Sequence, residues 1–457
     1  MKSILKIFSL VLLLWQTVAV QAALTVTNIA AGDSHNLFVK SDGTLWGMGY
    51  DSFGQLGDGT HLYATNRPEQ IAISNVVSMA AGSGHTLLLK ADGSLWGMGY
   101  NFYGQLGDGT YVNTNRPKQI IASDVTAIAA GYSHSLFIKS DGSLWGMGAN
   151  GDGELADGTY NSRTNLPEQI VSSGVVAVAG GGGHTLFIKS DGSLWAVGSS
   201  RLGQLGNGSS VLHTNVLQLI VASDVVAVAG GNFHSLFLKS DGSLWAMGNN
   251  NVGQLGDGTA IASTNLPEQI VASGVASIAC GNAYSLFLKT DGSLWAMGRN
   301  ANGQFSFDNG SFISTNRPQQ IVSNGVTAIA AGGFHALFLQ SDGSLWVVGD
   351  DYSCQFGDGF SATSGNGSPV PLQIIPQPQP VLTNSLSAKT NLQLTAACQF
   401  GGNYVLLEGT NFAQPFSQWK PIVTNAINSR PKNIFSAKIV NVVNAAAAQK
   451  FYILQSQ

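Results

Sequence analysis

Short runs of apolar residues, each six or so positions long and bounded by Gly, Asp or Pro, recur along the chain and fall into units of about fifty residues. One unit runs from Asn75 to Ile120. Val76 to Gly82 reads as a strand that ends in small side chains, suited to the place where sheets converge on an axis. His85 to Lys90 is apolar at alternating positions on both faces, the pattern of a sheet sandwiched between two others. Asp92-Gly93 follows, a strong hairpin signal because a type I′ turn needs positive φ at both central residues. Ser94 to Gly99 returns, and after a variable stretch Gly104 to Thr110 makes a compact turn. Asn115 to Ile120 closes the unit. Pro117 removes a backbone donor there, so this strand belongs at the outer edge. Each unit therefore predicts one four-stranded blade.

The period is set most sharply by Trp46, Trp96, Trp145, Trp195, Trp245, Trp295 and Trp346, which are placed to fill gaps between blades. Seven copies predict an all-β, seven-bladed propeller over residues 23–376. The Asp-Gly dipeptide recurs at Asp42, Asp141, Asp191, Asp241, Asp291 and Asp342. The blocks Ala-Ala-Gly-x-x-His, Asp-Gly-x-Leu-Trp-x-x-Gly and Gly-Gln-Leu-Gly-x-Gly resemble the regulator of chromosome condensation repeat, whose members form seven-bladed propellers. Three copies depart from it: Tyr284 stands for the repeated His, Glu154 and Ala156 alter the third turn, and Phe305-Ser306-Phe307 replaces the sixth. Single turns are expected to loosen there while the architecture holds.

The ends read differently. Lys2 and Lys6 flank the start of an apolar run from Ile4 to Trp15, and small residues follow at Val20 and Ala22, so residues 1–22 are expected to be a signal peptide rather than a membrane span. A Pro-rich linker is placed at 377–384 and a small β-sandwich-like module at 385–457. The protein is accordingly expected to be bacterial and monomeric, secreted, cell-surface or periplasmic, with no membrane span in the mature chain. A formal charge of −4 offers no basic surface for phosphates, so nucleic acid is not an expected partner. Three cysteines are too few for a disulfide framework, leaving a Cys354–Cys398 bridge as one possibility.

His35, His85, His134, His184, His234 and His335 occupy one equivalent position per unit. Equivalent positions lie on a circle, too far apart to converge on one ion, so neither a metal nor a cofactor is expected. Each His is expected to bond local backbone, a role the resemblance also implies. The Asp58, Asp108, Asp157, Asp257 and Asp358 turns lack the oxygen count of a calcium loop. No nucleophile, dinucleotide or phosphate motif stands out, so no catalytic residue is assigned and an enzyme is not expected. The copies differ after the Trp strand, where Tyr50, Phe53, Tyr63, Tyr100, Phe102, Tyr103 and Tyr111 concentrate in the first two units. Rigid aromatics gathered on one side suit an interface with an unidentified protein or, as the alternative, a glycan, for which Asp51 and Asn101 would supply polar contacts. A share of them could instead pack only against their own loops. The resembling family also contains a nuclear guanine-nucleotide exchanger whose activity depends on a protruding wedge, but the nearly constant Trp spacing leaves little room for such an insertion, and exchange activity is not carried over. A hydrolase would need convergent acids in one cleft.

Overall fold

The computed structural model describes residues 25–359, apart from 210, 261–262 and 306–311. It also describes the strand Ser368–Ile374 and, by backbone pairing, six strands between Thr383 and Ser456. The expected signal peptide (1–22) lies outside the described residues, as does the expected linker up to residue 382.

Seven four-stranded antiparallel sheets follow one another, each built from strands consecutive in sequence. The first comprises β1 (Val26–Ala31), β2 (His35–Lys40), β3 (Leu45–Tyr50) and β4 (Ala64–Ile71). The second spans Val76 to Ile121 and the seventh Val326 to Ile374. The proposed unit boundaries thus hold to within about one residue. The chain is an all-β seven-bladed propeller. Among the described residues no strand is exchanged to close the ring: blade one packs directly on blade seven, with Phe38 and Met48 buried among Leu337, Leu339 and Val347. The tail strands pair as two three-stranded antiparallel sheets. The side chain of Cys398 lies outside those described, and with it the possible bridge to Cys354.

Inner strands line a narrow axial channel of about 80 Å³ with small residues such as Ala31, Gly180 and Gly230. Around one mouth, backbone amides donate from blade to blade: Asp33 to Gly82, Ser83 to Tyr132, Tyr132 to Gly181, Gly182 to Gly231, and Gly333 back to Asp33. Such bonds satisfy inner-strand ends that would otherwise be buried donors.

The Trp residues pack against the preceding blade, Trp46 on blade seven and Trp96 on blade one. They are only partly buried, because they sit next to the Asp-Gly hairpins at the sheet ends. The indole of Trp46 lies parallel to Phe38 at 6.4 Å, under Lys40 Nζ at 3.6 Å. Its Nε1 donates to Thr44 Oγ1, which donates to Asp42; Ser plays the same part beneath Trp96, Trp145, Trp195 and Trp295. Each indole thus fills the gap between blades with one edge left wet, the Lys ammonium over a face and the hairpin supplying the acceptor.

The histidine reading needs a correction as well. His85 Nε2 does not bond local backbone but meets Ser135 Oγ of the next blade at 2.9 Å, and that hydroxyl donates to the Gln105 carbonyl at 2.7 Å. Since the hydroxyl's one proton is spent on Gln105, the imidazole must be the donor to it. The same relay joins His35 to Thr86, His134 to Thr185, His184 to Ser235 and His234 to Ser285. At the closure His335 meets Asn36 Oδ1, and Asn36 Nδ2 donates to Gln355. In blade six Tyr284 reaches further, its one hydroxyl proton shared between the Gly332 and His335 carbonyls. The residue that would receive a histidine there is Ala336, the one copy without a polar group. The departure at Tyr284 is thus matched in the following blade.

The third turn is not loosened either. Gly153 and Ala156 make the same backbone bonds as Gly54 and Gly57 in blade one, with Ala156 held at φ 52°. A Cβ at Gly57 or Gly256 would collide with Met98 or Met297 of the next blade. Behind Ala156 stands Val197 in place of that Met. Ser306 and Phe307 of the sixth turn lie outside the described residues.

Candidate functional site

In a four-stranded antiparallel blade the β1–β2 and β3–β4 connections emerge on one face, and the hairpins with the blade-to-blade links on the other. All seven aromatics singled out from the sequence lie on the β3–β4 connections or the strand ends leading into them. Long connections on a rigid scaffold are where binding residues are ordinarily carried.

Their rings form one unbroken run across two blades. Tyr63 meets Tyr50 edge-on at 5.5 Å, Tyr50 meets Phe53 at 5.7 Å, and Phe53 crosses to Tyr100 of blade two at 4.6 Å. Tyr100 contacts Phe102 and Tyr103, which touch each other edge-on at 5.2 Å. Arg163 of blade three then joins Tyr111 to the run, its guanidinium 4.3 Å from the Tyr111 ring and 5.1 Å from Phe102, with Nη1 donating to the Phe102 carbonyl. The four central rings, Tyr50, Phe53, Tyr100 and Tyr103, are partly buried against one another. Tyr63, Phe102 and Tyr111 are 56%, 52% and 41% exposed. The concern that such rings pack only on their own loops applies in part to the first group and not to the second.

Reading the sequence alone missed members of this surface. Leu62, Val112, Tyr132 and Tyr352 are also exposed, and Arg163 acts as a clamp between blades. Tyr132 follows the Gly that ends an inner strand, where the other copies carry Asp33, Ser83, Gly182, Asn232, Asn282 and Gly333. That contrast was available in the aligned units.

Asp51 and Asn101, expected to offer polar contacts, are fully buried and engaged in building their loops. The Asn101 amide donates to Asp108 and Thr110 and accepts from Leu106 N. Asp51 accepts from Leu56 N at 2.8 Å and Thr60 Oγ1 at 3.3 Å, and burial raises its carboxyl to about 7. Neither reaches a ligand.

Beside the aromatic run lies an open pocket of about 640 Å³. It is lined by Phe53, Tyr100, Tyr103 and Tyr132 and by Asp152, Glu154 and Arg201 of blades three and four. Glu154 is 4% exposed and burial raises its carboxyl to about 7. Its Oε2 accepts from Asp152 N at 2.9 Å. Asp152 pairs with Arg201 at 3.1 Å, with His213 3.7 Å away. No group of three or more metal-ligating side chains occurs among the described residues.

Models of the regulator of chromosome condensation (RCC1) repeat match six segments between residues 42 and 339, and a second model of the same repeat matches seven, from 26–55 to 326–355. The chain belongs to the RCC1 repeat family. Among solved structures it is similar to human WBSCR16, at 23% identity and a TM-score of 0.65, over 74% of this chain and 95% of that one. It is also similar to Prp20p of Saccharomyces cerevisiae, at 21% identity and a TM-score of 0.63, over 77% and 87%. That structure is described together with the binding of Prp20p to Gsp1p and histones. A further structure shows Kap60 bound to yeast RCC1 (Prp20), 20% identical to this chain, with a TM-score of 0.63 over 77% and 85%. At these identities the likeness is one of fold. No curated protein matches the chain by sequence.

Proposed function

We propose that this RCC1-repeat propeller is an exported, monomeric, non-catalytic scaffold that binds another protein through the β3–β4 face of blades one to three. The observation that carries the reading is the continuity of the aromatic run. Seven rings from two connections and one arginine from a third blade make a single rigid surface, and its outermost rings are left in water. Exposed Tyr and Phe of this kind do nothing for the stability of a monomer, while aromatic anchors dominate protein interfaces. Prp20p, which shares the fold, binds proteins; that supports the class of partner and not its identity. The glycan alternative is weakened by the burial of Asp51 and Asn101, the two polar groups expected to serve a sugar beside the rings. The 385–457 segment is proposed as an accessory β module.

The test replaces the three exposed rings together, Tyr63→Ala, Phe102→Ala and Tyr111→Ala, and leaves the packed ones alone. We expect an unchanged Tm and loss of the protein that wild type retains from the culture supernatant of its source. Retention of the same protein by the triple variant would refute the reading.

A further inference from the structure

The pocket beside the aromatic run differs in chemistry from the run itself, and one residue makes the difference. At the position of Glu154 the other six blades carry Gln55, Gln105, Gln204, Gln254, Gln304 and Gln355. Five of the six are fully buried and Gln355 is 1% exposed. The common structural task of this position is met by Oε1: the Gln55 and Gln105 side chains accept from Phe53 N and Tyr103 N, as Glu154 Oε2 accepts from Asp152 N. Its backbone carbonyl also accepts from the next blade's hydroxyl, here Thr185. Nothing in that task calls for a carboxyl. An ionised acid in this place carries a desolvation cost, whereas the Gln copies leave Nε2 buried without a partner in five of the six other blades.

Blade three is also the blade where the pocket opens, so the acid lines the pocket. Arg201 is already paired with Asp152, and among the described residues no cation is paired with Glu154. The same pocket is lined by Tyr100, Tyr103, Tyr132 and Phe53, and aromatic rings attract a cation over their faces. A buried carboxyl sharing a pocket with aromatic rings is complementary to an organic cation carried on an apolar stem, and the aromatic run leading up to the pocket supplies the apolar approach.

We infer that the pocket formed by Glu154 and the rings of Phe53, Tyr100, Tyr103 and Tyr132 receives a Lys or Arg side chain of the partner protein, as a charged anchor beside the apolar contact surface. This rests on the protein-binding reading and specifies it. Chain charge points the same way, since a protein of formal charge −4 is matched by a basic partner segment.

The natural control is Glu154→Gln, which installs the residue that the fold uses six times over and is therefore expected to leave Tm unchanged or raised. The probes are acetylated, amidated Leu-Arg-Leu and Leu-Lys-Leu tripeptides, the neutral Leu-citrulline-Leu tripeptide, and free choline, titrated by NMR into the full chain. Wild type should bind both basic tripeptides at least tenfold more tightly than the citrulline form, and Glu154→Gln should abolish that preference. The Tyr63→Ala, Phe102→Ala, Tyr111→Ala variant should keep it, since those rings lie outside the pocket. Equal affinity for charged and neutral tripeptides in wild type, or an unchanged preference in Glu154→Gln, overturns the cation pocket. Saturation by choline without binding of either tripeptide overturns the assignment to a partner side chain. If the cation pocket fails but the triple variant still loses its supernatant partner, the wider reading stands alone; if both fail, both are wrong.

Discussion

Ser135 shows how much rests on a single hydroxyl. It accepts from His85, donates to Gln105, and belongs to a different blade from both. Ser135→Ala leaves two buried polar groups unsatisfied at the junction of blades two and three, each costing about 1–3 kcal/mol. A loss of about 2–4 kcal/mol is expected, read as a lower denaturant midpoint at unchanged m. A loss under about 0.5 kcal/mol would mean the relay contributes nothing. The equivalent Ala336→Ser should bring no matching gain, because the imidazole it would pair with is replaced by Tyr284, whose hydroxyl already bonds the Gly332 and His335 carbonyls. The repeated His was plain in the sequence; its partner was not, because it lies 50 or 51 residues on, immediately after the next copy's His. The signal existed in the pairing of each His with a following Asn, Thr or Ser, and of Tyr284 with Ala336. Reading each unit in isolation concealed it.

At the scale of the blade, turn and neighbour are adjusted to each other. The Gly of the compact turn is needed for two reasons, its positive φ and the Met of the next blade pressed against it, and these can be separated. Gly256→Ala should destabilise by about 1–3 kcal/mol through overpacking against Met297 and a left-handed Ala. Adding Met297→Val, the combination that Ala156 and Val197 already display, should recover at least about 1 kcal/mol in a double-mutant cycle. Strict additivity of the two changes would show that the match in blade three is coincidental. Strands, hairpins and unit boundaries were legible because Asp-Gly, Pro and Trp punctuate every copy. Asp51 and Asn101 were misjudged because a polar residue in a loop looks the same in sequence whether it faces water or ties the loop together.

For the whole molecule, six imidazoles are held neutral by burial. His35, His134 and His234 are lowered to about 4, and His85, His184 and His335 to about 3. An unfolded His titrates near 6.5, so between about pH 6.5 and 4 the unfolded chain binds protons that the folded chain refuses. Stability from this source is complete above about pH 6.5 and is lost as pH falls. Asp51 and Glu154, raised to about 7, act in the opposite sense, gaining stability as pH falls toward 4. Six groups against two leave a net uptake of about four protons, or about 5 kcal/mol per pH unit from these groups alone. A steep, cooperative acid unfolding transition between pH 6 and 4 is expected by circular dichroism. A Tm independent of pH over that range would contradict neutral, buried histidines.

The ring itself, with its seven blades and two unlike faces, was readable from repetition, whereas the convergence of rings from separate blades depended on how the connections fold back. The most direct test of one privileged face is hydrogen–deuterium exchange on the propeller with and without its captured partner. Protection is expected in connections 51–63, 101–113 and 151–162, with none in the Asp-Gly hairpins at 41–44, 91–94 and 140–143. Protection centred on the hairpin face, or spread evenly around all seven blades, would contradict the account.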